Sequence, residues 1–194
     1  MNRALFVIDA QESFRQREIW RAGSNPDFVP NVNSLVDYFR ANGDLVIWVL
    51  HSEPGTNGVF DPANGHVRPL DDIRTTQENE PTLVKTSHNV FTTTNAGQLL
   101  TERRIFDLTV CGIRTEQCVE TTARVGGDLG YAVTFVTDAT LTFPIAHREA
   151  EDKSVEEILA DPRTLGVEAI VERTERVLDG RFATVRTTAE VTKA

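Results

Sequence analysis

Ile105-Phe106-Asp107-Leu108-Thr109-Val110-Cys111-Gly112-Ile113-Arg114-Thr115-Glu116-Gln117-Cys118-Val119 is the stretch whose reading decides the fold. Its opening, Ile105–Cys111, is an apolar run of strand rather than helix length. It is apolar almost throughout instead of alternating, which suits a strand buried on both faces of a parallel sheet between helix layers. Gly112–Gln117 then reads as a strand-to-helix turn. Glu116–Asp128 reads as a helix carrying Cys118, Val119, Thr122 and Val125 on a shared side, with Gly130 ending it before the next run.

The same alternation extends in both directions. Ala4–Ile8, Leu45–Leu50 and Tyr131–Val136 are apolar runs of the same kind, and Thr82–Lys85 and Phe182–Arg186 are weaker ones. Between them, Val32, Leu35, Val36 and Phe39 form one apolar helical face stopped by Gly43. Asn95 is placed to cap a helix through Leu99, Leu100 and Arg103. Arg148–Leu159 is charged and amphipathic, and Val167–Val177 predicts a further helix that Asp179-Gly180 turns into the last strand. Strands alternating with helices imply a right-handed, doubly wound α/β domain. With 194 residues and no repeat, linker or low-complexity tract, the chain reads as a single domain over 1–194. The segment Ser52–Pro81 has little periodicity and reads as a long loop, either a functional lid or a solvated insertion.

Net charge is −9, which argues against a nucleic-acid or anionic-membrane surface. It leaves a small-molecule substrate as the expected partner. The two cysteines, Cys111 and Cys118, are too few for the disulfide framework of a small secreted protein. The run Ala4–Ile8 is too short for a membrane span and lacks a signal-peptide cleavage pattern. A cytoplasmic protein with reduced thiols is expected.

In open α/β sheets ligands bind outside the carboxyl ends of the strands, so the residues just after each run carry the most information. Asp9 follows the first run, Lys85 ends the third, and Cys118 opens the helix after the fourth. A carboxylate between Ile8 and Ala10 needs a cation or donors if buried, and Lys85 is the obvious cation. Cys111, inside a strand, reads as an inert core thiol. Cys118 lies in a first helical turn, where unpaired N–H groups and the helix dipole favour a thiolate and can hold an oxyanion. Nucleophile, base and oxyanion site together are what acyl transfer requires.

At these residues the sequence resembles the isochorismatase-like cysteine hydrolases. The matching pieces are Leu5–Phe14, then Val84-Lys85, then Val110–Arg124, with a closing Phe182–Val191 similar to the family's last strand and tail. The resemblance spans nearly the whole chain. It implies a three-layer, Rossmann-like fold, a six-stranded parallel sheet with helices on both faces. It implies an Asp-Lys-Cys triad, here Asp9, Lys85 and Cys118, and a cis peptide at Ile113–Arg114. That bond would aim the backbone N–H of Arg114, with that of Cys118, at one oxyanion. It also implies a homodimer or homotetramer.

Within that family, nicotinamidases carry a metal held by an Asp-x-His after the second strand and a further His. Here His51 matches the first His, but Val49 stands at the Asp position, and Asp61 and His66 do not complete the set. No metal and no cofactor are therefore expected. His51 reads either as a pocket residue or as a strand-end histidine bonded to backbone. Gln11 and Phe14, from the first motif, line the pocket by analogy; Trp20, Phe60 and Phe143 are loop aromatics at the same edge. Arg68 and Arg163 are candidates for a substrate carboxylate. The presence of Cys118 favours cleavage of a C–N bond of amide, ureido or carbamoyl type. The alternatives are an isochorismatase-type vinyl ether hydrolase, a non-catalytic binding protein of the same fold, and a thiol redox protein, the last weakened by the absence of a Cys-x-x-Cys pair.

Overall fold

A computed structural model describes residues 3–150 and 153–193. The strands are β1 (Arg3–Ile8), β2 (Leu45–His51), β3 (Thr82–Lys85), β4 (Asp107–Ile113), β5 (Ala132–Leu141) and β6 (Thr184–Arg186). The helices are α1 (Glu12–Arg15), α2 (Phe28–Ala41), α3 (Ala96–Glu102), α4 (Glu120–Asp128), α5 (Val155–Ala160), α6 (Val167–Leu178) and α7 (Thr188–Thr192). The strands form one six-stranded sheet in the order β3-β2-β1-β4-β5-β6, every neighbouring pair parallel.

The continuous apolar runs follow from burial on both faces. Leu5, Val7, Val46, Trp48 and Cys111 pack with Val32, Leu35, Val36 and Phe39 of α2 and with Val191 of α7. Ala4, Phe6, Ile8, Ile47, Val49 and Val110 pack on the other side with Leu100 of α3, Ala123 of α4 and Leu178 of α6. Successive strand residues point to opposite faces, so neither face can be polar here. No helix among the described residues is long and apolar enough to cross a membrane.

Several boundaries differ from the sequence expectation. β4 is displaced toward Gly112 and Ile113, because these pair with Ile8 and Leu141, while Ile105 serves the core from a loop. β5 runs on past Val136 to Leu141, with a register shift opposite Val110–Gly112. β6 begins at Thr184, two residues after Phe182. The expected helix Glu116–Asp128 starts as a π-helical turn, Thr115–Val119, before α4. Asn95 stands at the N-cap position of α3 without a side-chain cap; the Thr94 hydroxyl accepts from the Ala96 N–H instead, at 3.1 Å. The segment Arg148–Leu159 is not one helix. A 3₁₀ turn, Arg148–Ala150, is followed by a new start at α5, where Ser154 and Glu157 form a capping box. Glu151 and Asp152 of that stretch lie outside the described residues.

The long loop after β2 is stitched to the chain after β1. Glu12 N–H donates to the Arg68 carbonyl, Ser13 N–H to that of His66, and Leu70 N–H to that of Ala10, at 2.9, 3.0 and 3.0 Å. These bonds hold it over the carboxyl ends of the strands. On the sheet side, Gly112 lets β4 close on β1. At φ +130, a Cβ there would sit 1.8 Å from the Ile8 carbonyl oxygen. That is a backbone clash no rotamer relieves. Gly112→Ala is therefore expected to cost more than ~3 kcal/mol or to abolish folding. Gly43→Ala, also at positive φ but in open space, should cost only ~1–2 kcal/mol. Urea unfolding of the two variants checks this; equal losses would show that the close approach at Gly112 is not what matters.

Candidate active site

In the strand order β3-β2-β1-β4-β5-β6 the winding reverses between β1 and β4. A crevice for ligands opens where the order reverses, at the strand carboxyl ends. Asp9 comes directly after β1, and Cys118 lies in the turn after β4. Lys85 ends β3, two strands away from β1, a span of roughly 10 Å at ordinary strand spacing. A lysine is long enough to cross the end of β2 and reach the carboxylate; shorter cations are not. Its Nζ donates to Asp9 Oδ2 at 2.7 Å and to Cys118 Sγ at 3.3 Å. Asp9 and Lys85 are fully buried, and Cys118 is 7% exposed.

Local backbone geometry aims each group. Asp9 has φ +51, a left-handed conformation that Asp tolerates better than most residues and that recurs at functional sites. Its N–H donates to the Val49 carbonyl at 2.8 Å, tying it to β2. The Ile113–Arg114 peptide is cis. The Arg114 carbonyl then accepts from the N–H groups of both Gln117 and Val119, each at 3.2 Å, which winds the turn that holds Cys118. A single π turn is a common device where a helix start carries function.

Burial dominates the electrostatics of the site. Burial raises the Asp9 carboxyl above its ordinary value, with the Lys85 charge opposing the rise. Burial also pushes the Cys118 thiol well up; the Asp9 charge adds to the effect and Lys85 opposes it. Burial and the Asp9 charge thus work against the thiolate that the first-turn position favours, and Lys85 works for it. Asp9 Oδ1 is buried without a well-formed hydrogen bond, and the Cys118 thiol interacts with the same carboxylate. Moving the thiol proton to Asp9 exchanges carboxylate for thiolate beside the same ammonium. The charge of the sealed site does not change, so its desolvation cost changes little.

His51 pairs with Lys85 in the β2–β3 register. Its ring Nδ1 is 3.5 Å from Lys85 Nζ, its Nε2 is 3.2 Å from Glu53, and its ring meets Phe60 edge-on at 5.6 Å. Its side chain thus faces the triad rather than the backbone. Gln11 is a clamp between strand ends. Its Oε1 accepts from His51 N–H at 2.7 Å, and its Nε2 donates to the His51 carbonyl and Ser13 Oγ at 3.0 and 2.9 Å. That leaves its amide engaged with protein on both ends. Phe14 contacts both Phe60 and Phe143, at ring separations of 5.0 and 6.1 Å, and Trp20 meets Phe143 at 5.9 Å. The loop aromatics therefore form one continuous wall. Phe14 and Phe143 are also members of the α2-side core, so wall and core are the same residues here.

A family model described as the isochorismatase domain matches residues 3–166. This chain belongs to the isochorismatase family. An uncharacterized isochorismatase family protein of Bacillus subtilis is 28% identical over 141 residues, covering 73% of this chain and 74% of its own. A streptothricin hydrolase of Streptomyces noursei is 32% identical over 143 residues, covering 73% of this chain and 55% of its own. Among solved structures, an isochorismatase-family protein from Chromobacterium violaceum superimposes with a TM-score of 0.86 at 22% identity, covering 100% of this chain and 93% of its own. That last likeness speaks for the three-layer fold alone.

The other sequence candidates of this isochorismatase-family chain are engaged elsewhere. Asp61 caps a short 3₁₀ turn, with Oδ1 accepting from Ala63 N–H and Oδ2 from Asn57 N–H at 3.1 and 2.9 Å. His66 meets Ser13 through its carbonyl, not its ring. No group of three or more His, Cys, Asp or Glu among the described residues is disposed to hold a metal ion. Arg68 pairs with Asp71 on the surface, and Arg163 with Asp161 and Glu149. The sequence reading missed the side chain of Arg114. It packs 5.5 Å over the Phe143 ring, donates to the Phe143 carbonyl at 2.9 Å and lies 3.1 Å from Glu116. Arg114-x-Glu116 was visible in the motif, but nothing local indicated that both side chains turn inward.

The buried pair supplies a stability test. Lys85→Met strands the Asp9 carboxylate without its cation and should cost about 3–5 kcal/mol in urea unfolding. Adding Asp9→Asn removes the stranded charge and should recover much of that loss. A double variant as unstable as the sum of the singles would mean that the two groups are not coupled.

Proposed function

We propose that this chain is a cysteine hydrolase that cleaves a C–N bond of a small amide, ureido or carbamoyl compound through a thioester on Cys118. The observation that carries the reading is the single ammonium of Lys85 within bonding distance of both Asp9 and Cys118 in a sealed site. Family membership and the streptothricin hydrolase relative support a hydrolase.

Asp9 takes the proton of the Cys118 thiol as sulfur attacks the substrate carbonyl carbon. Lys85 stays bonded to whichever group carries the negative charge. The N–H groups of Arg114 and Cys118 receive the oxyanion. As the C–N bond breaks, Asp9 passes its proton to the departing nitrogen, which leaves as amine or ammonia. A water molecule then gives a proton to Asp9, its oxygen adds to the thioester carbon, and the C–S bond breaks. Asp9 returns the proton to sulfur. The sum is amide plus water to acid plus amine, and the scheme calls on no metal or cofactor.

His51 and the wall of Phe14, Phe60, Phe143 and Trp20 bound the space next to these groups in this reading. Gln11 acts one step back, by fixing the ends of β1 and β2.

Cys118→Ala should lower turnover of any accepted amide by about 10³-fold or more and abolish the acyl adduct seen by intact-mass analysis. Full amide turnover in that variant would overturn the thioester route, and thiol-independent turnover of an isochorismate-like vinyl ether with no amide accepted would favour vinyl ether cleavage. An oxidised thiol with no acyl adduct on any amide would favour redox chemistry.

A further inference from the structure

Beside the turn that holds Cys118 lies a cleft of about 500 Å³, within the range of small-molecule sites. Arg114 and Gln117, from the cysteine's own turn, line it together with Phe143 and Ile145, and Ile19 and Ile158 add apolar surface. Its charged lining is Arg17, Glu18 and Arg114. Two of these are already matched: Glu18 with Arg21 at 3.5 Å, and Arg114 with Glu116 at 3.1 Å. Arg17 is exposed and makes no ion pair or side-chain hydrogen bond among the described residues. Arg17 faces the same cleft as Arg114 and Gln117, the residues that open and precede Cys118 in its turn. The cleft therefore places the Arg17 guanidinium beside the turn that carries the nucleophile. In a chain of net charge −9, a positive cleft wall is not a by-product of composition.

Resting on the cysteine-hydrolase reading above, we infer that the substrate carries a carboxylate and that Arg17 binds it in this cleft. A guanidinium offers a planar fork of donors that matches a carboxylate in bidentate fashion. One unmatched cation suits one negative charge. Glu18 in the same wall opposes a phosphate dianion, and Arg17 repels an amine-bearing substrate. The apolar lining then covers the carbon skeleton between the carboxylate and the scissile carbonyl. The carboxylate-reading residue is thus Arg17, in place of Arg68 or Arg163.

Affinity alkylation tests this without knowledge of the natural substrate. The probes are the iodoacetyl derivatives of glycine, β-alanine and γ-aminobutyrate, each paired with its neutral carboxamide. Alkylation of Cys118 is followed by peptide mass mapping, and rates are normalised to those of free cysteine. For at least one spacer the carboxylate probe should react about tenfold or more faster than its carboxamide, as a charge-assisted contact provides. The preference should vanish in Arg17→Ala, invert in Arg17→Glu, and persist in the distant surface variant Arg176→Ala. Equal rates for every pair, or a preference that survives Arg17→Ala, would overturn the inference. So would protection of Cys118 by inorganic phosphate but not by acetate. If no probe alkylates Cys118 in the native protein while all alkylate it in urea, the failure belongs to the nucleophile assignment itself and takes the inference with it.

Discussion

The contact between Lys85 and Asp9 is the constraint on which the rest of the molecule depends. Both side chains are fully buried and 2.7 Å apart. A charge in such surroundings is tolerable only with its partner in place. The pair also binds together strands that do not touch, since β2 lies between β1 and β3. What looks like an active-site detail is therefore a cross-brace over the carboxyl ends of three strands. Replacing either partner is expected to disturb the fold.

The brace sits where it does because of the winding order. A sheet that reverses between β1 and β4 opens a crevice there, and Asp9 and the Cys118 turn occupy its two banks. Gly112 allows the banks to close, its missing side chain admitting the Ile8 carbonyl. Gln11 performs the corresponding task between β1 and β2 through bonds to His51. Backbone fit at Gly112, the Gln11 clamp and the length of the lysine side chain together set the distance at which Lys85 touches both Asp9 and the thiol.

That geometry changes the view of Cys118. A cysteine at a helix start is expected to ionise readily, and here burial works the other way. The thiol and the Asp9 carboxylate share one cation, Lys85, at 3.3 and 2.7 Å. The cleft alongside is lined by Arg17 and by Arg114 and Gln117 of that same turn.

Much of this was legible in the residues themselves. Continuous apolar runs declared strands buried on both faces, and the strand-end positions of Asp9, Lys85 and Cys118 declared one edge of a parallel sheet. Both follow from local rules, the twofold period of a strand and the shape of βα turns. Strand limits near Gly112 and beyond Val136 were not legible, because pairing with a neighbouring strand sets them. Nor was the break within Arg148–Leu159, where the capping box at Ser154 outweighs the helical pattern. The sequence by itself determined the layers and the placing of Asp9, Lys85 and Cys118 at one edge of the sheet. Only the tertiary structure decided that burial works against ionisation of the thiol, that Gln11 is a clamp, that Arg68 and Arg163 are tied up on the surface and that Arg17 is left free of ion pairs among the described residues. Those outcomes depend on burial and on partners far away in the chain, and neither is a property of any local stretch of residues.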